Sequence, residues 1–401
     1  MRGSLLTGYY PLRHGAVTND LPVKAESQSV ARALDAAGYQ TGYIGKWHLA
    51  GVPRDQAIER ERRLGFKEWK VCNCNHRYLE SYYYDEENCR HEIDGYDAHT
   101  YTSLAIDFIR RKAGKPWGLW VSWGPPHDPY FDVPSQYLDL YKDQPLTLRP
   151  NVPPQIVARL DSPKRTPEEI RASLRGYYAQ ITALDDQFGR LIRALRETGE
   201  LDRTLIIYTS DHGDMLGSQG WTNKQLPFEE AVRVPLIARL PGVVRQGVCD
   251  ELIGLTDLPV SLMSLLGCPL PEPDGSDLEA IFREKQARGQ EACYIFDLVP
   301  CHQSMDRGTD AWRGVRTVRY TYACHADGAP WLLFDNVADP FQLHNRVDDP
   351  ELAPLREQLH AQTAQFAHRH DAMESWPALI ERFGLKESWN ESQRYFKRPE
   401  L

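Results

Sequence analysis

The chain has 401 residues, 41% apolar and 26% charged, enough to bury a substantial core and to build more than one compact unit. Its net charge of −9 is dispersed, with no run of five or more Lys/Arg, which excludes a nucleic-acid surface or a basic membrane patch as the basis of function. No apolar run approaches the roughly 18 residues of a membrane-spanning helix, no signal-peptide pattern is present, and the expected ligands are small.

In chain order, the opening MRGSLLTGYYP reads as interior sequence rather than a loose terminus. SQSVARALDAAGYQTGYIGKWHL then reads as a helix, with Val30, Leu34 and Ala37 on one face, stopped at Gly38 and followed by the strand TGYIG, which ends at Lys46 and His48. Among eight cysteines, Cys72 and Cys74 lack the spacer of a zinc ribbon; free thiols, or one incidental bridge, are expected. A second helix carries Ala105, Phe108 and Ile109, and Trp117 to Trp123 reads as a buried strand leading to His127.

The third unit has the longest stripe, Tyr177, Ile181, Leu184, Phe188, Leu191 and Leu195, closed by Gly199 and followed by TLIIYTSDHGD as a buried strand and glycine turn. The pattern predicts an open α/β sheet whose ligands gather beyond the strands' carboxyl ends. Past Gly289, WRGVRTVRYTYA and PWLLFDNV alternate between turn signals and predict a small antiparallel sheet, followed by a helix with Leu352, Leu355 and Leu359 on one side. The expected division is 1–289 as catalytic core, 290–374 as a small α+β unit and 375–401 as a tail too weakly patterned to assign.

Asp211 and His212 stand at a strand-to-turn junction, where a carboxylate and an imidazole suit a divalent metal, although an Asp there also caps turns. Lys46, His48, His127 and Lys224 come from separate loops. Singly, Lys46 reads as a solvated lysine and His48 as a core histidine; together they suit a tetrahedral oxyanion whose charge is held and whose leaving oxygen receives a proton.

The order of these motifs resembles the sulfatase family of the alkaline-phosphatase-like superfamily. RGSLLTGYYPLRHG is similar to the second half of the family signature, in which Cys/Ser-x-Pro-Ser-Arg precedes Leu-Thr-Gly, and GYQTGYIGKWHLA resembles the second signature. SDHGDMLG, EEAVRVPLI, TDLPVSLMSLLG and WLLFDNVADPFQLHN follow in the family's order, so the resemblance runs from Arg2 to about His370. It implies a mixed sheet flanked by helices with a smaller C-terminal antiparallel sheet, and metal-dependent hydrolysis of a sulfate ester on a carbohydrate or small organic alcohol. By the same resemblance, Arg2 supports the nucleophile, Thr7 and Gly8 form its turn, Lys46 and Lys224 bind sulfate oxygens, His48 lies near the nucleophile and His127 assists the leaving group. Asp211 and His212 become two of the metal ligands, with Ca2+ the expected ion and Mn2+ or Mg2+ as alternatives, and His14 buttresses its helix.

The resemblance places the family's nucleophile, a Cys or Ser converted to formylglycine, three residues before Met1, together with an interior strand bearing paired aspartates. The sequence as it stands is therefore expected to be truncated and to fold poorly, because each unsatisfied buried group costs about 1–3 kcal/mol against a total of about 5–15. A phosphonate or phosphodiester hydrolase is the alternative on the same scaffold; a catalytically dead binder of sulfated glycans is the alternative of another class. Asn75 and His76, in the aromatic loop VCNCNHRYLESYYYDEENCR, are candidate substrate contacts, against the reading of a Tyr-rich loop packed on the core.

Overall fold

The computed structural model describes residues 1–401. β1 (Gln40–Lys46), β2 (Glu68–Cys72), β3 (Glu80–Tyr84), β4 (Arg90–Asp94) and β5 (Trp117–Ser122) form one sheet in the order β4-β3-β2-β1-β5. β1 is parallel to β2, with Lys46 opposite Cys72, and to β5, with Gly45 opposite Ser122; β3 and β4 add antiparallel. From Thr41 onward β1 is buried at every residue, as a central strand covered on both faces must be. Tyr43 packs with Trp47, Trp69 and Val30 on one face, while Ile44 packs with Tyr101 and Ala105 on the other.

Helices α1 (Arg2–Thr7) and α2 (Val30–Ala36) lie on the Tyr43 side, and α3 (Asp97–Lys112), backed by α4 (Pro167–Glu197), lies on the Ile44 side. α5 (Asp257–Leu265) joins α1 and α2. α4 starts ten residues before the stripe that announces it, because Thr166 and Glu169 form a reciprocal capping box and Pro167 takes the first helical position.

The third unit departs from the sequence reading. β6 (Ile206–Thr209) pairs antiparallel with β7 (Leu236–Arg239) in a separate two-stranded sheet and does not join β5. A cavity of 2710 Å³ is lined in part by β5, by β6 and by the α4 residues Tyr177, Ile181, Phe188 and Leu191. The strands expected to be buried are accordingly only half-buried, and Ile181 of the α4 stripe is 38% exposed. Leu184 and Leu195 of that stripe are buried, together with Ile170 and the smaller or amide residues Gly176, Ala179, Gln180, Ala183 and Gln187.

Beyond residue 289, β8 (Ala292–Asp297), β9 (Trp312–Thr317), β10 (Tyr320–His325) and β11 (Pro330–Asp335) form an antiparallel sheet in the order β11-β10-β9-β8. Helix α6 (Ala353–His370) covers it through Leu359, with Leu352 and Leu355 partly buried beside it. The fully buried pair Arg313 and Asp371, 2.9 Å apart, pins the end of α6 to β9, and Tyr294 donates to the same carboxylate at 2.6 Å. The tail holds two further helices, Trp376–Arg382 and Lys386–Tyr395, whose Leu379, Ile380 and Trp389 share a core with Leu12, Val17, Leu21 and Val299. All eight cysteines are free.

Candidate active site

One hollow gathers the carboxyl ends of β1, β5 and β6. Gly45, at φ 109°, lets β1 approach β5 so closely that a Cβ would stand 2.0 Å from the Ser122 carbonyl oxygen, a contact no side chain tolerates. Lys46 follows and is 4% exposed. His48, two residues on, has φ 55°, a left-handed conformation that costs a non-glycine residue on the order of 1 kcal/mol. Its backbone N–H donates to the Asn73 carbonyl at 2.6 Å, and its Nε2 faces Asp20 Oδ1 at 3.4 Å. The buried Asp20 carboxylate accepts two bonds from Arg54, at 2.7 and 2.8 Å. Burial would raise the Asp20 pKa, but His48 and Arg54 together hold it below the usual carboxylate range.

After β5, His127 is fixed from both sides. Its Nδ1 lies 3.0 Å from Asp128 Oδ1 and 2.9 Å from the Asp128 carbonyl, and its Nε2 lies 2.5 Å from Lys224 Nζ. Burial, reinforced by the Lys224 charge, pushes His127 down to about 3, so the ring is neutral with Nδ1–H directed at Asp128. His76 stacks on His127 with centroids 4.7 Å apart and accepts from Lys46 Nζ at 3.1 Å. Lys224, 6% exposed, has its own pKa lowered by burial and then by Lys46. The buried Arg307 holds its loop by donating to the Thr222 and Lys224 carbonyls, both at 2.7 Å.

After β6, Asp211 meets Arg2, whose Nε lies 2.8 Å from Oδ2. The same guanidinium donates through Nη1 to the Lys46 carbonyl at 2.9 Å and to Ser122 Oγ at 2.7 Å, so one side chain ties the ends of all three strands. Burial opposes ionisation of Asp211, yet Arg2, then His212 and Lys46, hold it well below the usual carboxylate range. His212 Nδ1–H donates to the Gly213 carbonyl at 2.7 Å, which leaves the Nε2 lone pair free, 3.8 Å from Asp211 Oδ1. Burial lowers its pKa to about 4. Gly213 is required because a Cβ there would stand 1.9 Å from the Glu230 carbonyl oxygen.

Arg2, Lys46, His48, His76, His127, Asp211, His212 and Lys224 all line this hollow. Asn75 does not reach it. Its amide donates to the Arg77 carbonyl and to Ser81 Oγ, and its oxygen accepts from Arg77 N, an Asx-type turn that folds the side chain into its own loop. His14 is fully buried behind α1, with Nε2 3.4 Å from Ser4 Oγ.

Sequence reasoning missed Asp20, Ser122, Asp128 and Arg307. Asp128 was discoverable as the carboxylate next to His127; the others carry no local signal. No three His, Cys, Asp or Glu side chains form a group able to hold a metal ion, so Asp211 and His212 stand as a pair. An ionised carboxylate beside a neutral imidazole with an open Nε2 fits two positions in the shell of a divalent ion.

The Sulfatase family model matches residues 1–268, and a model described as N-sulphoglucosamine sulphohydrolase, C-terminal, matches residues 217–369. The ulvan-active sulfatase of Formosa agariphila is 34% identical over 368 residues, covering 90% of this chain and 70% of its own. The endo-4-O-sulfatase of Bacteroides thetaiotaomicron is 30% identical over 394 residues, covering 86% of this chain and 75% of its own. A solved structure in complex with its substrate D-glucosamine-2-N,6-O-disulfate superposes with a TM-score of 0.78 at 22% identity, over 93% of this chain and 89% of that one, which shows a common fold.

Proposed function

The chain belongs to the sulfatase family, and from that premise we propose that its site hydrolyses the sulfate ester of a carbohydrate. The observation that carries the reading is the continuous contact Lys46–His76–His127–Lys224, which sets two buried cations on either side of two imidazoles over one hollow. Two such ammonium groups repel in a site of low dielectric, and an oxyanion between them relieves that repulsion. The carbohydrate assignment draws on the ulvan sulfatase and the endo-4-O-sulfatase among the relatives.

In this mechanism Lys46 and Lys224 each hold sulfate oxygens. His127, oriented through Nδ1 by Asp128, presents Nε2 to the ester oxygen. In the empty site burial, then the Lys224 and Lys46 charges, keep that ring neutral; a bound sulfate compensates the two ammonium groups, raises the affinity of Nε2 for a proton and turns the ring into the general acid for the departing alkoxide. Arg2 holds the ends of β1, β5 and β6 together and keeps Asp211 ionised. Asp211 and His212 are the residues that would hold a divalent cation, which when bound supplies Lewis acidity at the sulfate oxygens. The nucleophile in this reading is a formylglycine at the signature position ahead of Arg2.

The test is sulfate release. The chain, preceded by a segment that supplies both the Cys-x-Pro of the signature and the aspartate-bearing strand, and processed to formylglycine, is expected to liberate inorganic sulfate from sulfated oligosaccharides, and to lose this with Lys46→Met or Lys224→Met. Faster turnover of a phosphodiester or phosphonate ester would move the assignment to that chemistry. Tight binding of sulfated glycans without any release would make the site a lectin-like one.

A further inference from the structure

Cys74 lies at the edge of this site and takes no part in the mechanism above. The parallel register that sets Lys46 opposite Cys72 continues past the strand ends, where His48 N–H bonds to the Asn73 carbonyl, so His48 and Cys74 are brought alongside each other. Cys74 Sγ is 3.9 Å from His76 Nε2, the atom that also meets Lys46 Nζ at 3.1 Å. On its far side His48 is held by Asp20, itself fixed by Arg54. The result is a buried thiol between two imidazoles, His48 held by a carboxylate on its far side and His76 held by a lysine. It is the arrangement that activates a nucleophile: a base next to the thiol and a third group orienting the base. Around Cys74 the cationic groups are Lys46 and His48, with Arg2 and Arg54 also feeling its charge; His76, its pKa lowered by burial and then by Lys46, is neutral, and the carboxylate of Asp20 lies behind His48 and Arg54. The balance is strongly cationic, the setting in which a buried cysteine is a thiolate.

We propose that Cys74 is a reactive thiolate at the rim of the oxyanion site, oxidised by hydroperoxides to sulfenic acid. A sulfur lone pair attacks the terminal oxygen of the peroxide, an S–O bond forms as the O–O bond breaks, and the sulfur loses two electrons. The departing hydroxide or alkoxide is protonated by His48 and leaves as water or alcohol. Electrostatics agree with the geometry: burial alone would raise the thiol pKa, but the charges of His48 and Lys46 bring it well below the ordinary value. Among the other cysteines, burial pushes Cys72 up to about 12 and Cys293 up to about 12, so the neighbouring Cys72 is an internal contrast. The inference concerns the thiol's own surroundings and stands whether or not the carbohydrate reading does.

The experiment uses the intact chain treated with near-stoichiometric hydrogen peroxide in the presence of dimedone, with adducts mapped by peptide mass spectrometry at pH 6 and pH 8 and a free cysteine peptide in the same tube. The ordinary thiol of the peptide should react about 75-fold more slowly at pH 6 than at pH 8, following its thiolate fraction. Cys74 should change by less than about threefold, and Cys72 should carry no adduct. In His48→Gln, and independently in His76→Gln, the Cys74 rate at pH 6 should fall, with circular dichroism confirming the fold. Absence of any Cys74 adduct in the folded chain, or a Cys74 rate that follows the peptide between the two pH values, would overturn the proposal.

Discussion

The Lys224 ammonium rests 2.5 Å from Nε2 of His127, and the other nitrogen of that ring faces the Asp128 carboxylate at 3.0 Å. A cation on one side and an anion on the other fix both the orientation and the tautomer of the imidazole. Lys224→Met removes one of the three forces that depress its pKa and leaves burial and the Lys46 charge in place. Followed by NMR, the ring in the unaltered chain should not titrate between pH 5 and 8, whereas in the variant its midpoint should rise toward, and stay below, the ordinary value of about 6.5. An unmoved midpoint would mean that the contact carries no electrostatic weight.

Acid should destabilise the fold before the carboxylates titrate. His14 and His127 are held near about 3, and His212 and His302 near about 4, each chiefly by burial. Between about 6.5 and those values the unfolded chain binds more protons than the folded one, so stability falls with falling pH, by up to about 1.4 kcal/mol per unit for each histidine. His48 works in the opposite direction, because its pKa is raised: its contribution is present below its unfolded pKa and is lost as pH rises through the folded one. Melting temperatures measured from pH 7 to pH 4.5 should therefore decline steadily. A flat profile would contradict the burial assigned to these four rings.

Asp20 should matter for stability as well as for the site. Replacing it with alanine leaves the Arg54 guanidinium and the His48 ring without their shared partner at a carboxylate that has no solvent exposure. The expected loss is about 3 kcal/mol, read from urea denaturation. Arg54→Ala should cost less, since Asp20 keeps His48.

Gly45 and Gly38 both have positive φ, at 109° and 85°, but only Gly45 is crowded. Gly38→Ala meets open space and should cost about 1 kcal/mol for its backbone conformation alone. Gly45→Ala drives a Cβ into the Ser122 carbonyl between β1 and β5, and should cost at least about 3 kcal/mol or prevent folding. Equal effects would show that the close approach of the two strands is not needed.

Trp389 tests the tail. Its side chain, 2% exposed, shares a core with Leu12, Val17 and Val299, so truncation to alanine should cost about 3–5 kcal/mol although the residue lies far from the site in sequence.

Where the sequence was readable, the reason is local. β1 shows in TGYIG because a short β-forming run follows the helix stop at Gly38, and α3 shows because Ala105, Phe108 and Ile109 recur at helical spacing. Lys46 closes β1, and His127 and Asp211 follow β5 and β6 within a few residues, so the sequence puts them at one strand edge; Lys224 sits in a loop with no strand directly before it. The separation of β6 from β5 was not, since an apolar strand sequence does not specify which edge it meets. Asp20 lies in a loop with no periodicity, and its role depends on partners 28 and 34 residues away. The same holds for the tail helices, whose apolar residues are few and complete a core begun at Leu12. Asn75 and His76 are adjacent in one loop, yet only the imidazole turns toward Lys46; a loop's composition does not carry that distinction.

Isothermal titration of the chain with a sulfated monosaccharide and its unsulfated counterpart, repeated at pH 6.5 in buffers of different ionisation enthalpy, addresses the central claim, that the contacts from Lys46 to Lys224 form one oxyanion site. Binding of the sulfated sugar alone, with net proton uptake as His127 gains basicity and at least about tenfold weakening in both Lys46→Met and Lys224→Met, is the expected result. Equal affinity for both sugars, or sulfate affinity untouched by either substitution, would contradict it.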